Sequence, residues 1–508
     1  MNTRYLLLTV FASGLVTLAV ELSASRLIEP YFGTSNLIWA TLIGLILLYL
    51  SAGYTLGGRW ADRSPRADVL YRIVAWAAFL IGLVPFVAHP ILSLAAAGFA
   101  DFNAALLAGS FLSALLLFSA PITLLGCVSP FAVRLAVSDV SRAGNAAGRV
   151  YAISTIGSFF GTFLPVLVLI PAIGTRSTFV ALSLSLMAVG LIGLGRRAVR
   201  LVWMPIVIIG LALFVRPDIK ATPGTIFQTE SSYNYIQVVQ RGDTTFLLLN
   251  EGQGVHSIYS PNRLDTSGTW DFFALAPYFN SPPTADRLQR VAVVGLAAGT
   301  IPRQYSAVFG PVPIDGIEID PRIVQTGRDF FDMKLPNLNV ITADGRYALS
   351  RSPYRYDVIG IDAYRLPYIP WHLTTVEFFE QVRGHLRDDG VVVVNVGHAG
   401  SDYRLVDAMT ATLAQVFPSV HVADVPNTFN TAVYATAQPT SPDNLRANLD
   451  AMTHPLVQNA AERALLSLRK PSPGGIIFTD DRAPVEQITN SIMVNYLLEL
   501  ASGEISLP

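Results

Sequence analysis

This sequence has little charge and almost no cysteine. Charged residues make up 14% of its 508 residues, whereas ordinary soluble proteins contain about 25%, which argues against a wholly soluble protein. The single cysteine, Cys127, lies in an apolar stretch and cannot form an intramolecular disulfide. The sequence contains no Gly-Lys-Ser/Thr phosphate loop, and its histidines are too scattered for a zinc site. No metal is therefore expected.

Lysine is missing from residues 1–216, which contain 14 Arg and six acidic residues, a balance of +8. The remaining 292 residues hold 21 basic and 30 acidic residues, a balance of −9. The formal net charge of −1 is therefore an average over two different halves, and the break between them marks a domain boundary. The acidic second half argues against nucleic acid as a partner.

Residues 1–216 contain repeated apolar runs. A helix of about 20 residues crosses the hydrocarbon core of a bilayer, and seven runs approach this length. The predicted spans are 5–27, 37–58, 70–89, 104–127, 150–171, 177–195 and 201–216. We therefore expect a multi-pass protein of the cell (inner or plasma) membrane, with the lipid bilayer as a partner.

Arginines cluster in alternate loops of this membrane domain, after the second, fourth and sixth predicted spans. The clusters are Arg59, Arg63, Arg66 and Arg72; Arg134, Arg142 and Arg149; and Arg196, Arg197 and Arg200. Because positively charged loops stay in the cytoplasm, these loops and the N-terminus are expected there. Seven complete spans would then place the second half outside the cytoplasm, whereas an even number would place it inside.

Two features of the membrane domain have a functional and a structural interpretation. Glu21 lies deep in the first span, where a carboxylate is costly unless it is paired or faces a cavity. It indicates either a cation or proton site or a structural ion pair that involves Arg26 and Glu29. Gly157 and Gly161 have the spacing that lets two membrane helices approach closely, so we interpret them as packing residues.

After Pro217 the sequence alternates between strands and helices. Residues 235–240 and 245–249 form a hairpin pattern, and residues 268–280 are predicted to be helical. Runs rich in Val and Ile follow, typical of buried parallel strands, at 290–295, 314–319, 338–342, 356–361 and 390–395. The expected fold is a polytopic α-helical membrane domain, then a small β unit and a doubly wound, Rossmann-like (methyltransferase-type) α/β sheet. The expected domains are 1–216 (transmembrane), 217–289 (β-rich), 290–440 (nucleoside-binding) and 441–508 (a helical extension).

The predicted strand ends carry glycine and acidic residues, and ligands bind at the carboxyl ends of parallel strands. The first strand runs into the small-residue turn Gly295–Gly299. The second ends at Glu318, about 20 residues further on, where an acid commonly binds ribose hydroxyls. The third ends at Asp344 and Gly345, and the fourth ends at Asp362. Together these residues predict a nucleoside site, although any single acid could instead be a helix cap or turn residue.

Residues from about 225 to 440 resemble the spermidine synthase family of polyamine aminopropyltransferases, and the whole chain resembles the bacterial membrane-fused type. The matching motifs are 230–236, 249–253, the glycine turn, 316–320, 344–345, 356–362 and 369–379. The resemblance implies a transferase of polyamine biosynthesis. It would move an aminopropyl group from decarboxylated S-adenosylmethionine, its co-substrate, to a small amine acceptor.

The resemblance also implies a role for each matched residue. Asp362 matches the general base that takes a proton from the attacking amine, and Glu318 matches the acid that binds the ribose. Asp344 and Gly345 match the family's adenine contacts. The other positions implied to contact the co-substrate are Asn234, Gly295, Gly299 and Pro370.

The half of the site that would bind the amine departs from the family pattern. The family has Asp-x-x-Asp-Pro after the base, but Arg365 occupies the position of the second Asp. Ala298 stands where the glycine turn normally has an Asp, and Trp270-Asp271-Phe272 replaces Tyr-His-Glu. Gln253, Asp271 and Arg365 are weaker candidates for substrate contact. The identity of the acceptor amine is therefore open.

A motif near the C-terminus has two interpretations. Asp480 and Asp481 follow a short apolar segment and could fold back over the strand ends to supply the missing carboxylates. Alternatively, Asp480 caps the helix that begins near Pro484.

Three functions remain open from the sequence. The first is the aminopropyltransferase. The second is a methyltransferase that uses intact S-adenosylmethionine, since Arg365 could receive the carboxylate that the decarboxylated form lacks. The third is a transporter or sensor that binds a nucleoside or polyamine without turnover, which Glu21 favours. A homo-oligomer is compatible with all three.

Overall fold

The computed structural model describes residues 3–32, 36–98, 104–137, 139–215, 222–250, 254–365, 367–472 and 474–502. The chain divides into two compact units. The first contains residues up to Thr222 together with Thr229–Tyr235, and the second contains Pro223–Gln228 and the chain from Ile236 onward. Segment 229–235 therefore belongs to the helical unit, although the residues just before it belong to the second unit.

The first unit is built from helices. They are α1 (Thr3–Phe32), α2 (Asn36–Arg63), α3 (Ala67–Gly98), α4 (Ala104–Gly126), α5 (Val128–Ala136), α6 (Ala143–Leu164), α7 (Ile170–Leu194) and α8 (Trp203–Phe214). Short 3₁₀ turns occupy Val140–Arg142 and Gly195–Leu201, and a π-helical segment, Pro165–Leu169, joins α6 to α7.

Five helical stretches of the described chain are long and apolar enough to cross a membrane: Thr3–Tyr31, Ile38–Arg63, Ala67–Leu92, Phe111–Ala136 and Ala143–Leu201. This count differs from the seven that the sequence predicts. The predicted spans 150–171 and 177–195 fall within the last stretch, which breaks at Gly174, where φ is 78°. The seventh predicted span is the 12-residue α8, about 18 Å long at 1.5 Å per residue.

Helices α1 and α6 cross closely because glycine lies at their contact. A Cβ atom on Gly157 or Gly161 would collide with the backbone of α1 at Phe11 or Leu15. Ser158 Oγ donates to the carbonyl of Gly14 at 3.1 Å across the same contact. The small-residue spacing in α6 therefore serves helix packing.

Arg26 of α1 forms an ion pair with Glu29 at 3.2 Å. This pair lies within one helix and does not include Glu21, for which a structural ion pair was the alternative interpretation. For Glu21, the described residues provide no ion-pair partner within 4.0 Å.

A small sheet opens the second half of the chain. Its strands are β1 (Thr225–Glu230), β2 (Tyr235–Arg241), β3 (Thr244–Leu249) and β4 (Val255–Tyr259), and they lie in this order. The antiparallel pair β2–β3 turns at Gly242, where φ is 64°. The predicted hairpin is therefore confirmed.

A seven-stranded sheet forms the centre of the second unit. Its strands are β5 (Val291–Val294), β6 (Ile314–Glu318), β7 (Leu338–Thr342), β8 (Tyr356–Ile361), β9 (Leu386–Gly397), β10 (Ser419–Asp424) and β11 (Asn430–Thr436). The order is β10-β11-β9-β8-β5-β6-β7. Strands β5 to β9 are parallel, and β11 is antiparallel to both of its neighbours. The expected doubly wound α/β sheet is confirmed.

Helices connect and cover these strands. They are α9 (Thr269–Phe273), α10 (Thr300–Phe309), α11 (Pro321–Phe330), α12 (Gly345–Ser350), α13 (Val376–His385), α14 (Arg404–Leu413), α15 (Asp443–Ala447), α16 (Pro455–Leu465) and α17 (Val485–Ser502). The helix predicted at 268–280 corresponds to α9 and the 3₁₀ turn Ala276–Phe279.

Both faces of the large sheet are buried. Along β5, Ala292 and Val294 belong to one hydrophobic core, while Val291 and Val293 belong to another. Successive side chains of a strand point to opposite faces, so the strand is apolar throughout. Chemically reactive side chains are therefore concentrated at the strand ends.

Candidate active site

The carboxyl ends of β5, β6 and β8 meet at one edge of the sheet. Gly295 follows β5, Glu318 is the last residue of β6, and Asp362 follows β8. The strands are parallel and hydrogen-bonded in the order β8-β5-β6. The backbone N–H of Asp362 donates to the Val294 carbonyl at 2.8 Å, which ties the ends of β8 and β5 together.

The turn after β5 requires glycine at two positions. Gly295 has φ of 88°, and a Cβ there would collide with the Asp362 backbone. Gly299 has φ of 91° and caps α10, and a Cβ there would collide with Met333. Both conformations are ones that L-residues rarely adopt. Gly295 therefore lets the turn lie close to the end of β8, and Gly299 lets the start of α10 lie close to Met333.

Glu318 joins the second strand end to this turn. One carboxylate oxygen accepts the Ala297 N–H at 2.9 Å, and the other accepts the Asp320 N–H at 3.1 Å. Burial raises the pKa of Glu318 to about 7, against the opposing effect of these two backbone donors. Glu318 is thus a buried acid at the sheet edge, and its charge is incompletely compensated.

Asp344 and Gly345 begin α12 after β7. Asp344 caps this helix by accepting the Tyr347 N–H at 3.0 Å, and its other oxygen lies 2.8 Å from His372 Nε2. Burial raises the pKa of Asp344, but the Tyr347 N–H and His372 outweigh burial and hold the pKa below its usual value. A Cβ on Gly345 would collide with Val294, so glycine is required for α12 to approach β5.

Asp362 is held by two side chains that were not among the site residues predicted from the sequence. Trp270 Nε1 donates to one carboxylate oxygen at 2.9 Å, and Asn395 Nδ2 donates to the other at 2.8 Å. Burial raises the pKa of Asp362 to about 6, although both hydrogen bonds act to lower it. A group with this pKa can accept a proton near neutral pH.

The amide oxygen of Asn395 is buried and has no hydrogen-bond partner among the described residues. It belongs to the same amide group that donates to Asp362. An unsatisfied acceptor beside a carboxylate suits a ligand that carries several N–H donors. Asn395 lies near the carboxyl end of β9, so the strand-end rule that selected Asp362 could have found it.

The Asp271 carboxylate has its hydrogen-bond and ion-pair partners away from Asp362. Its carboxylate accepts from Thr266 N and Oγ1, at 2.9 and 2.8 Å, and from Gln304 at 2.7 Å. Arg463 forms an ion pair with it at 2.6 Å. Asp271 therefore ties α9 to α10 and α16, while its neighbour Trp270 reaches the candidate base.

The remaining predicted residues lie in loops. Arg365 is exposed, and its backbone pairs with that of Tyr368. Pro370 begins the 3₁₀ turn Trp371–Leu373. Gln253 lies outside the described residues.

Asn234 lies in a turn of segment 229–235, where its backbone pairs with Ser231.

Asp480 is engaged by Arg346, which follows Gly345 at the start of α12. Two guanidinium nitrogens bind the two carboxylate oxygens at 2.7 and 2.8 Å, and Thr375 donates to the same carboxylate at 2.7 Å. The segment that carries Asp480 therefore reaches the part of the sheet edge that Asp344 occupies. Asp481 is exposed.

A family model for the spermine/spermidine synthase domain matches residues 283–443. A probable polyamine aminopropyl transferase from Bifidobacterium longum is 33% identical over 279 residues, covering 51% of this chain and 61% of the relative. A polyamine aminopropyltransferase from Vibrio vulnificus is 32% identical over 152 residues, covering 29% of this chain and 48% of the relative. An N-terminal histidine N-methyltransferase from Emericella nidulans is 30% identical over 143 residues, covering 27% of this chain and 25% of the relative.

The chain thus spans about half to three fifths of the length of the two aminopropyltransferases. These matches confirm the resemblance of the α/β half to the spermidine synthase family.

Proposed function

We propose that this chain is a membrane-anchored aminopropyltransferase, because residues 283–443 match the family model for the spermine/spermidine synthase domain. It moves an aminopropyl group from decarboxylated S-adenosylmethionine to a small amine. The observation that carries the proposal is Asp362, a carboxyl group with a raised pKa at the sheet edge that also holds Glu318. The apolar helices of the first unit provide the membrane anchor.

The nucleoside is proposed to bind along the ends of β5, β6 and β7. The buried Glu318 carboxylate already accepts two backbone N–H groups, and the two hydroxyls of a ribose would add the donors that its charge still needs. The turn at Gly295–Gly299 keeps side chains away from this edge, and Asp344 with Gly345 lies where the adenine would bind. These residues fit an adenosyl group.

Asp362 is proposed as the general base. An alkyl amine has a pKa near that of lysine, about 10.4, so it arrives protonated and must lose a proton before it can attack. Asp362 accepts this proton, and the amine nitrogen forms a bond to the aminopropyl carbon next to the sulfonium. The carbon–sulfur bond breaks, and its electron pair goes to sulfur, which releases methylthioadenosine.

The acceptor amine is proposed to lie between Asp362 and Asn395. An ammonium group has three N–H donors. The carboxylate can take one, and the unsatisfied amide oxygen of Asn395 can take a second. Asn395 thus offers polar contact near the reacting nitrogen, in a site where Arg365 has replaced the second acid of the family pattern.

Product analysis with decarboxylated S-adenosylmethionine and a panel of amines tests the proposal. The wild-type chain should form methylthioadenosine and an aminopropylated amine, and Asp362→Asn should not. Asp388→Asn changes an exposed acid near the start of β9, at the other end of that strand from Asn395, and as the matched control it should retain activity. Retained turnover in Asp362→Asn would contradict the assignment of the base.

A methyltransferase is the second candidate. Arg365 provides a cation that could bind the carboxylate of intact S-adenosylmethionine, and part of the chain is similar to a histidine N-methyltransferase. The two candidates give different products from the same nucleoside site. S-adenosylhomocysteine formed from intact S-adenosylmethionine would support the methyltransferase, whereas methylthioadenosine from the decarboxylated form supports the aminopropyltransferase.

A further inference from the structure

Arginines from separate loops gather at one end of the helical unit. The Asp68 carboxylate binds Arg66 and Arg72 of its own segment and Arg197, at 2.7 Å, from the turn after α7. Arg134, near the end of α5, pairs with Asp62 at 3.4 Å. The loops that follow α2, α5 and α7 therefore lie together, and we call this the arginine end.

The start of α1 lies toward the arginine end. Tyr5 donates its hydroxyl hydrogen to the Val189 carbonyl at 2.6 Å, and Val189 is in the part of α7 that leads to Arg197. Arg26 is 21 residues further along α1, which corresponds to about 30 Å of helix. This length matches the hydrocarbon thickness of a bilayer, about 30 Å. Arg26 therefore lies at the opposite end of the unit.

Segment 229–235 is bound at this opposite end. Arg26 donates to the carbonyls of Ser232 and Tyr233, the latter at 3.3 Å. Glu230 accepts the backbone N–H of Thr175 at 2.7 Å, just after the break at Gly174. The pKa of Glu230 is raised by burial, against the hydrogen bonds from Thr175. The segment from which the chain continues into the α/β half is thus anchored away from the arginine end.

Helix α8 leads to the opposite end. Its first residue, Trp203, packs against Phe79 with ring centroids 5.0 Å apart. At its other end, Arg176 donates to the carbonyls of Leu211, at 3.4 Å, and Val215. The 3₁₀ turn Gly195–Leu201, which contains Arg197 of the arginine end, precedes α8 in the chain. Although α8 is short, the contacts of Arg176 place its last turn at the opposite end.

We infer that the chain enters its α/β half on the side of the membrane opposite to the arginine end. Because arginine-rich loops remain in the cytoplasm, this is the non-cytoplasmic side. Counting apolar helices does not decide the side, since a break or a short helix changes the count. The contacts of Arg26, Glu230 and Arg176 decide it, because they show at which end the chain leaves and rejoins the helical unit.

Cysteine labelling of the full-length chain tests this inference without using its proposed activity. Cys127 is buried, and Cys127→Ala gives the background for single exposed reporters. Ser64→Cys reports on the arginine end, Ser232→Cys on the opposite end, and Glu462→Cys on α16 of the second unit. Each variant is treated with a membrane-impermeant maleimide in right-side-out and in inside-out membrane vesicles.

We expect Ser232→Cys and Glu462→Cys to be labelled in right-side-out vesicles and Ser64→Cys in inside-out vesicles. Labelling of Glu462→Cys from the cytoplasmic side would overturn the inference, as would labelling of Ser64→Cys and Ser232→Cys from the same side. Labelling of all three in detergent verifies that each thiol is reactive. A C-terminal alkaline phosphatase fusion, which is active only outside the cytoplasm, gives a second measurement on the unsubstituted chain.

Discussion

The hydrogen bond from Trp270 to Asp362 sets how well the proposed base ionises. In Trp270→Phe the indole N–H is lost while an aromatic ring remains. A hydrogen bond to a charged group contributes about 1.5–3 kcal/mol, and one pKa unit corresponds to about 1.36 kcal/mol. The donor stabilises the charged carboxylate, so its loss should raise the pKa of Asp362 from about 6 by about one to two units.

The consequence is a loss of activity that depends on pH. At pH 6.5 the variant should hold about 3- to 25-fold less ionised Asp362 than the wild type, and at pH 8.5 the two should agree within about 1.3-fold. The assay is kcat/KM for methylthioadenosine formation from pH 6 to 9. The ratio of variant to wild type removes the titration of the amine substrate itself, because that titration is common to both proteins.

Tyr364→Phe is the matched control for this experiment. The Tyr364 hydroxyl lies beside the site but donates to the backbone carbonyl of Asn395 at 3.1 Å and leaves both hydrogen bonds to Asp362 intact. Its ratio to wild type should be constant across the pH range. The reasoning is refuted if the ratio for Trp270→Phe is also constant, or if it falls as the pH rises.

Three further predictions concern other parts of the chain. Glu318→Gln should weaken methylthioadenosine binding about 10- to 100-fold above pH 7. The wild-type affinity, measured by calorimetry, should rise through pH 7 as Glu318 ionises. A wild-type affinity independent of pH would contradict the proposal that the Glu318 carboxylate binds the ribose. Asp480→Asn breaks a partly exposed bidentate ion pair with Arg346 and should lower the free energy of unfolding by at most about 1 kcal/mol, seen as a slightly lower thermal midpoint. Weaker amine binding with an unchanged midpoint would instead support a role of the Asp480 carboxylate in the substrate site. Asp481→Asn is the control. Gly161→Ala should destabilise the helical unit in detergent unfolding by about 1–3 kcal/mol because its Cβ meets the α1 backbone, whereas Gly148→Ala, which meets nothing within 4 Å, should not.

Much of the fold could be predicted from local pattern. The strands of the large sheet from β5 to β8 lie within a residue of the predicted runs, because a strand buried on both faces is a continuous Val- and Ile-rich segment. The antiparallel pair β10–β11 was not predicted, since its strands mix Val and Ala with Thr, Ser, His and Tyr and lack the continuous Val- and Ile-rich runs of β5 to β8. The number of crossing helices was also not determined, because a helix break at one glycine and a 12-residue helix obscure it.

The candidate site could likewise be predicted only in part. The glycine turn, Glu318 and Asp362 could be found from the sequence, because parallel strands must bring their carboxyl ends to one edge. Trp270 lies 92 residues before Asp362, and Asn395 lies 33 residues after it. Asn395 lies near the carboxyl end of β9, so the same rule could have found it, whereas Trp270 lies in α9 and no strand-end rule selects it.

The sequence by itself determined that this chain has an arginine-biased apolar half and an acidic α/β half whose strand ends carry Glu318 and Asp362. These properties depend on composition and local periodicity, which are present in the sequence before folding. Only the tertiary structure decided which side chains donate hydrogen bonds to Asp362 and that Asp271 forms an ion pair with Arg463. It also decided at which end of the helical unit segment 229–235 lies. Those outcomes depend on contacts between distant segments, and such contacts exist only once the helices and strands have packed.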